Sequence, residues 1–478
     1  MNSPAAFLPL VTIVVGALAV LLLEVTLKKE NKNYLGYISL AFLAGSGGLC
    51  VRFWNGAYSF FNQSLYLDNL ALLFFLLFSL AGGLVILLSL KYIADQEANH
   101  GEFYALLLLA LSGMMVMASS PDLLVIFLGL EVLSVSSYAL AGLRRKDTKS
   151  SEAALKYFLL GSFASAFLVL GLAFLYGAGR SLVISNIIDY FQADSAQKEL
   201  GLIGLALVLI GFAFKIALVP FHMWTPDVYE GAPTPITAFF SVGPKAAGFS
   251  VLLRIFLDFW GASAETQLVF WVLWTLSVLT MIVGNLVALR QTNVKRILAY
   301  SSIAHAGYIL VAVLAGDQTS LVFYLAAYLF MNVGAFAALI AMTRKGREYA
   351  ELEDFSGIGF QYPWIGGTFS VFLISLAGFP PTAGFLAKFY VFSAAVRAGL
   401  VPLVVIGVLA SLISVFYYLR IIVYMYMREP SPEREAVLID QENPALFLVL
   451  FFCLYGVLQL GIFPGNILTI IRMAVSLL

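Results

Sequence analysis

Apolar runs of about twenty residues recur from one end of the chain to the other, separated by short polar stretches. A helix rises ~1.5 Å per residue, so about twenty apolar residues cross a ~30 Å hydrocarbon core. The pattern predicts about fourteen membrane-spanning helices, at roughly 5–26, 34–51, 68–90, 102–119, 122–142, 152–177, 200–222, 236–257, 267–289, 294–315, 319–342, 362–397, 400–426 and 445–473. Two of these runs are interrupted. In the seventh, Phe214-Lys-Ile-Ala-Leu-Val-Pro-Phe-His-Met-Trp224 places Pro220 where it removes a backbone donor and clashes with the carbonyl of Ile216. The twelfth is too long for one straight helix and contains Gly378-Phe-Pro-Pro381, so Pro380 and Pro381 mark a second break.

The interrupted helices are five spans apart, an odd number, so a second copy of the same unit would lie inverted in the membrane. Inverted repeats with discontinuous helices at matching positions are a transporter pattern. The expected fold is an all-α polytopic membrane protein of two inverted five-helix repeats, each with one broken helix. The expected division is an N-terminal three-helix segment (1–101), the two repeats (102–258 and 259–426) and a C-terminal helix (427–478).

Composition agrees. The 478 residues are 61% hydrophobic and 11% charged, against about a quarter charged in soluble domains. The net charge of zero suggests no nucleic-acid partner. Cys50 and Cys453 are far apart, with no Cys-x-x-Cys pair, so iron–sulfur and zinc sites are not expected. His100, His222 and His305 are too scattered for a haem system, and no Gly-rich nucleotide motif follows a strand pattern. The first apolar run lacks a basic start and a small-residue cleavage site, so it reads as a retained span.

Charge also orients the chain. Loops after odd-numbered spans carry Lys28, Lys29, Lys32, Lys91, Arg144, Arg145, Lys146, Lys149, Arg290, Lys295, Arg296, Arg344, Lys345, Arg347, Arg428 and Arg434; loops after even-numbered spans carry Arg52, Arg180, Lys198 and Arg397. The positive-inside rule then puts the first set in the cytoplasm and both termini outside.

Few ionisable residues remain within the spans. Glu131 lies mid-way along the fifth; Lys215, Lys245 and Lys388 lie in the seventh, eighth and twelfth; His305 lies inside the tenth. Burying a charge at membrane depth costs at least ~2.5 kcal/mol on insertion scales, so such residues mark ion pathways more often than interhelical ion pairs. Glu152 and Lys156 share a helix face near a span end, where a local ion pair is as good a reading as a pathway role. His222 follows Lys215 by two turns with Pro220 between them, and capping or packing at the break competes with function. Arg254, Asp258, Arg420 and Arg472 lie near span ends, where long side chains snorkel. A row of Glu and Lys at mid-membrane depth forms coupled titrating sites. If Glu131 and Lys215 sit ~6 Å apart at an effective dielectric of about 20, they attract by about 3 kcal/mol.

At these residues the chain resembles a known family. Leu130-Glu-Val-Leu-Ser-Val-Ser-Ser-Tyr-Ala-Leu140, Glu152-Ala-Ala-Leu-Lys-Tyr-Phe158, the stretch from Phe214 to Pro235, Ser301-Ser-Ile-Ala-His-Ala-Gly-Tyr308 and Gly378-Phe-Pro-Pro-Thr-Ala-Gly-Phe-Leu-Ala-Lys-Phe-Tyr390 are similar to the antiporter-like membrane subunits of respiratory complex I, most closely the N type. L- and M-type subunits and Mrp antiporters carry His-Val-Glu-Ala-Pro where this chain has Val228-Tyr-Glu-Gly-Ala-Pro233, and M-type subunits carry a glutamate where Lys388 stands. The long lateral helix of the L type is not expected after the fourteenth span.

The resemblance implies proton translocation in a NADH–quinone oxidoreductase. Glu131 and Lys215 would form the charge-coupled pair, Lys245 and His305 the central relay, and Lys388 the terminal site. It also implies a bacterial inner-membrane location, complex I membrane subunits as partners, and NADH, FMN, iron–sulfur clusters and quinone on those partners, with no cofactor on this chain. An Mrp-type cation/proton antiporter subunit is the competing reading, and a purely structural membrane subunit a third.

The loop-charge bias gives a direct test. A reporter fused after Lys146 is expected on the cytoplasmic side and one fused after Arg180 on the outer side; the opposite labelling overturns the orientation.

Overall fold

The computed structural model describes residues 4–27, 32–96, 101–193, 198–256, 264–343, 348–429 and 443–476. His100, Asp258, Lys28, Lys29, Arg344, Lys345, Arg347 and Arg434 lie outside them. Apart from one two-stranded hairpin, β1 Tyr58–Phe60 and β2 Leu65–Leu67, the regular structure is helical. The helices are α1 Leu8–Thr26, α2 Asn33–Arg52, α3 Asn69–Asp95, α4 Gly101–Ser119, α5 Leu123–Ala141, α6 Thr148–Gly179, α7 Ile184–Gln192, α8 Lys198–Lys215, α9 Trp224–Gly231 and α10 Thr234–Phe256. They continue with α11 Ala264–Ala288, α12 Val294–Leu314, α13 Gln318–Ala341, α14 Ile358–Gln361, α15 Pro363–Ala377, α16 Ala383–Arg397, α17 Val401–Met427, α18 Pro444–Ile462 and α19 Gly465–Val475.

Among the described residues, 12 helices are long and apolar enough to cross a membrane. The two broken crossings, α8 with α9 and α15 with α16, bring the total to the expected fourteen. The last expected span is too long, because it stops at Ile462 and α19 starts anew at Gly465. Pro464 explains the stop, since it cannot donate to a continuing helix. The helices α10, α12 and α13 form the centre, with α10 buried along the whole of its spanning window, while α6, α11 and α17 lie at the periphery.

Both breaks close in the same way. After α8, Leu218 N–H donates to the Ala213 carbonyl at 2.8 Å and Ala217 takes a left-handed conformation at φ 62°. After α15, Phe379 N–H donates to the Ile374 carbonyl at 3.2 Å and Gly378 sits at φ 94°. This six-to-one bond around a left-handed residue is the Schellman closure of a helix end. A cis proline follows three residues later at each break, Pro220 and Pro381.

The five-helix packing repeats as well. Gly113 of α4 lies against the backbone of Gly129 and Leu133 on α5, and Gly284 of α11 lies against the backbone of Ala304 on α12. A Cβ at Gly113 would fall 2.5 Å from the Gly129 carbonyl oxygen, so only glycine permits this approach. Asp122 caps α5 and bridges Val183 beyond α6; Asn293 caps α12 and bridges Glu351 beyond α13. Arg254 of α10 donates to the Ala118 carbonyl at the end of α4, and Arg420 of α17 donates to the Leu289 and Gln291 carbonyls just past the end of α11. These two arginines therefore do not snorkel; each closes a neighbouring helix end. Arg254 also pairs with Asp68 at 2.9 Å. Arg472 is exposed on α19.

Gly378→Ala would place a Cβ 3.0 Å from the Lys388 side chain at a positive φ. The left-handed backbone alone costs about 1–2 kcal/mol for a non-glycine residue. We expect Gly378→Ala to lower the thermal unfolding midpoint of the detergent-purified assembly and Ala217→Gly to raise it slightly.

Candidate functional site

Three lysines sit inside the helical core. Lys215, Lys245 and Lys388 are 2%, 1% and 6% exposed. Among the described residues, no carboxylate lies within ion-pair distance of any of them, so other polar atoms hold them.

Lys215 ends α8 and donates to Ser134 Oγ on α5 at 2.9 Å, with its ammonium 5.7 Å from the Tyr157 ring centre. The break below it is sealed by Trp224, whose indole N–H donates to the Phe214 carbonyl at 3.0 Å and whose ring stacks on Tyr157 at 4.4 Å. Thr280 of α11 accepts the Val219 amide at 2.9 Å. Glu131 lies one turn from Ser134 on α5, is half-buried, and accepts from Ser165 of α6. It acts on Lys215 electrostatically, without a direct ion pair.

Lys245 follows Pro244 inside α10 and donates to the Ser302 carbonyl of α12. His305 stands one turn further along α12. Its Nδ1 is 2.7 Å from the Tyr324 hydroxyl and its Nε2 is 3.3 Å from the Tyr418 hydroxyl, which also bonds Ser301. Both Lys245 and Lys388 act on His305 electrostatically.

Lys388 of α16 reaches back across the second break. Its ammonium donates to the Leu376 carbonyl at 3.0 Å, the Ala377 carbonyl at 2.9 Å and Ser411 Oγ of α17 at 2.8 Å, and it lies 5.2 Å from the Tyr308 ring centre. A cation on the exposed carbonyls of a helix C-terminus is favoured by the peptide dipoles.

The secondary candidates fall elsewhere. Lys156 pairs with Glu152 at 2.7 Å and with Asp227 of α9 at 2.7 Å, while Arg296 pairs with Asp227 and Glu230 at 2.9 Å each. Lys149 adds a contact to Glu230 at 2.8 Å. The pair is thus part of a surface network joining α6, α9 and α12. His222 is half-buried within the break, with no bonding partner at Nδ1 among the described residues.

Sequence reasoning missed one buried cluster. Lys295, counted above as a loop charge, is 2% exposed in the first turn of α12. It pairs with Glu348 at 3.1 Å and donates to the Ala232 carbonyl at 2.8 Å. Arg144 approaches the same carboxylate at 3.8 Å and donates to the Gly231 carbonyl at 3.0 Å. Tyr92 of α3 donates to Glu348, as does the Thr234 hydroxyl at 2.7 Å. Burial pushes the Glu348 carboxyl up, but Lys295, Arg144 and the two hydroxyl donors outweigh it and hold it down at about 2. Glu348 follows a polar stretch, so it carries no span-interior signal; only its place beside a basic loop hinted at a partner.

A carboxyl held down in the folded protein contributes stability that is complete above its ordinary value of 4.5 and is lost as the pH falls toward about 2. Glu348→Gln is therefore expected to cost on the order of 3 kcal/mol at neutral pH, with the difference from wild type shrinking below pH ~4.5. Thermal unfolding followed across pH checks this; a pH-independent difference would leave the charge without effect.

Known proteins share this architecture. Residues 120–414 match the family described as NADH:quinone oxidoreductase/Mrp antiporter, TM. NADH-quinone oxidoreductase subunit N of Trichlorobacter lovleyi is 46% identical over 98% of this chain and 96% of its own length. A chain of respiratory complex I from Thermus thermophilus superposes with a TM-score of 0.82 at 35% identity, over 96% of this chain and 98% of that one. A chain of the Mrp complex from Dietzia sp. superposes at 0.84 with 22% identity, over 99% of this chain and 97% of that one, a likeness of fold alone.

Proposed function

The chain belongs to the subunit N family of NADH-quinone oxidoreductases, and we propose that it serves there as a proton-translocating membrane subunit with no redox centre of its own. The observation that carries the reading is the set of three core lysines, Lys215 and Lys388 at helix breaks and Lys245 beside the in-helix Pro244, each without a carboxylate counter-ion among the described residues. A buried ammonium with only neutral partners gives up or takes a proton in response to small changes in its surroundings. That suits transfer better than fixed structural pairing.

The proposed route runs from the Glu131–Lys215 pair through Lys245 and His305 to Lys388. His305 stands one turn from Ser302, whose carbonyl holds Lys245, and its two ring nitrogens face Tyr324 and Tyr418. An imidazole that bonds at both nitrogens can accept a proton on one and release it from the other. Glu152 and Lys156, in the surface network with Asp227, and His222, within the break, stand outside the core set as its candidate pathway members, and charge on Glu131 sets how tightly Lys215 holds its proton. Electrons do not pass through the chain; NADH, FMN, iron–sulfur clusters and quinone belong to partner subunits. Neighbouring complex I membrane subunits cover its flanks within the bacterial inner membrane, and both termini face the periplasm.

The Mrp-type antiporter reading shares the fold. It is disfavoured by Val228-Tyr-Glu-Gly-Ala-Pro233 at the motif position and by near-full-length identity to subunit N.

The test is proton uptake during NADH oxidation in membranes carrying Glu131→Gln or Lys215→Ala, normalised to assembled complex. Both are expected to lower pumping by about tenfold, the effect of ~1.4 kcal/mol on a transfer barrier, with Glu131→Asp milder. Wild-type pumping in both charge-removing variants would make the pair structural.

A further inference from the structure

The Glu348 cluster sits where five segments meet: α3, the α5–α6 loop, the α9–α10 joint, the start of α12 and the stretch after α13. Its charges match the backbone dipoles around them. The C-terminal carbonyls of α9, Gly231 and Ala232, receive the two cations, Arg144 and Lys295. The N-terminal amide of α10, on Thr234, faces the Glu348 carboxylate at 3.3 Å. Each charge lies at the helix end that favours its sign. Glu348 is therefore the anion that lets two cations and two helix ends share one joint.

Glu348 is gripped by Lys295 at 3.1 Å, Arg144 at 3.8 Å and the hydroxyls of Tyr92 and Thr234, an arrangement that holds a carboxylate in place rather than passing a proton on. A fixed charge is left as its role, and geometry says what it fixes. Lys295 and Thr234 open α12 and α10, and both are tied to the same carboxylate. His305 lies ten residues beyond Lys295, or ~15 Å along α12, and Lys245 lies eleven beyond Thr234, or ~16 Å along α10. Pinning the two helix starts together sets the depth at which Lys245 meets the Ser302 carbonyl and faces His305.

We propose that Glu348 is a positioning residue for proton transfer: with Lys295 and Thr234 it locks the axial register of α10 against α12, and so the contact of Lys245 with the Ser302 carbonyl, one turn from His305. The proposal rests on the relay assigned to Lys245 and His305 above. Proton transfer is steep in donor–acceptor distance, so a slip of this register weakens pumping without touching the redox centres of partner subunits.

The experiment compares protons translocated per electron, at matched assembled complex, in membranes carrying Glu348→Gln, Glu348→Asp, Thr234→Val or Lys245→Ala. We expect Glu348→Gln to lower the ratio by about twofold or more, since sub-ångström misplacement of reacting groups is costly. Glu348→Asp should restore part of it, and Thr234→Val, which keeps every charge, should lower it less. A prop of the fold alone would lower assembly and leave the ratio intact; that result in Glu348→Gln overturns the proposal. If Glu348→Gln does not assemble, a wild-type ratio in Thr234→Val overturns it. A wild-type ratio in Lys245→Ala would instead sink the relay reading itself.

Discussion

Backbone groups freed by a helix break have no water to bond at membrane depth, and this constraint organises the protein. An unsatisfied carbonyl or amide in hydrocarbon costs several kcal/mol, so each break needs a partner from another helix. At the first, the Phe214 carbonyl is met by the Trp224 indole and the Val219 amide by Thr280. At the second, the Leu376 and Ala377 carbonyls are met by Lys388 and the Gly384 amide by Ser375. The same solution appears at other helix ends, with Arg254 and Arg420 on carbonyls at the ends of α4 and α11, and Arg144 and Lys295 on those ending α9.

That solution also sorts the buried cations by what holds them. Lys295 has a carboxylate and a carbonyl, and Lys388 has two carbonyls and a hydroxyl. Lys245 has one carbonyl. Among the described residues, Lys215 has only the Ser134 hydroxyl and the face of Tyr157. A hydroxyl rotates to donate or accept, so it tolerates a lysine in either protonation state, whereas a carboxylate or an orphan carbonyl favours the ammonium. Holding grows weaker from Lys295 through Lys388 and Lys245 to Lys215. The loosest of them is the one beside the partly exposed Glu131, where a change of charge has most effect.

Much of this was legible in the chain itself. Membrane helices announce themselves by length and apolar content, and Pro220, Pro380 and Pro381 announced both breaks. Lys215, Lys245 and Lys388 stood out because charge within such runs is costly. What escaped had no such contrast. Tyr324 and Tyr418, the partners of His305, are ordinary aromatic residues in an apolar run until a hydroxyl is placed. Lys295 and Arg144 sit beside polar loops and read as surface charges, since sequence does not say that the loops fold back over the α9–α10 joint. The stop at Phe463-Pro-Gly465 was readable and was overrun because the flanking segments are equally apolar.

The repeat shows how one scaffold hosts two chemistries. Gly113 and Gly284, Ala118 and Leu289, Asp122 and Asn293, and Leu133 and Ala304 fall in the same roles at one constant offset along the chain. Carried along α5 and α12, that offset sets Glu131 against Ser302 and Ser134 against His305. In the first unit this face offers a carboxylate and a hydroxyl to Lys215. In the second it offers a carbonyl to Lys245 and, one turn further along, an imidazole bonded to Tyr324 and Tyr418. The first unit therefore holds Glu131 with Lys215 and Lys245, while the second holds His305 and Lys388 with no carboxylate beside them among the described residues. Similar backbone packing with unequal charge gives the proposed relay a direction: a change of charge at Glu131 acts first on the loosely held Lys215, and the second unit answers it with His305 and Lys388, which have no such carboxylate beside them among the described residues.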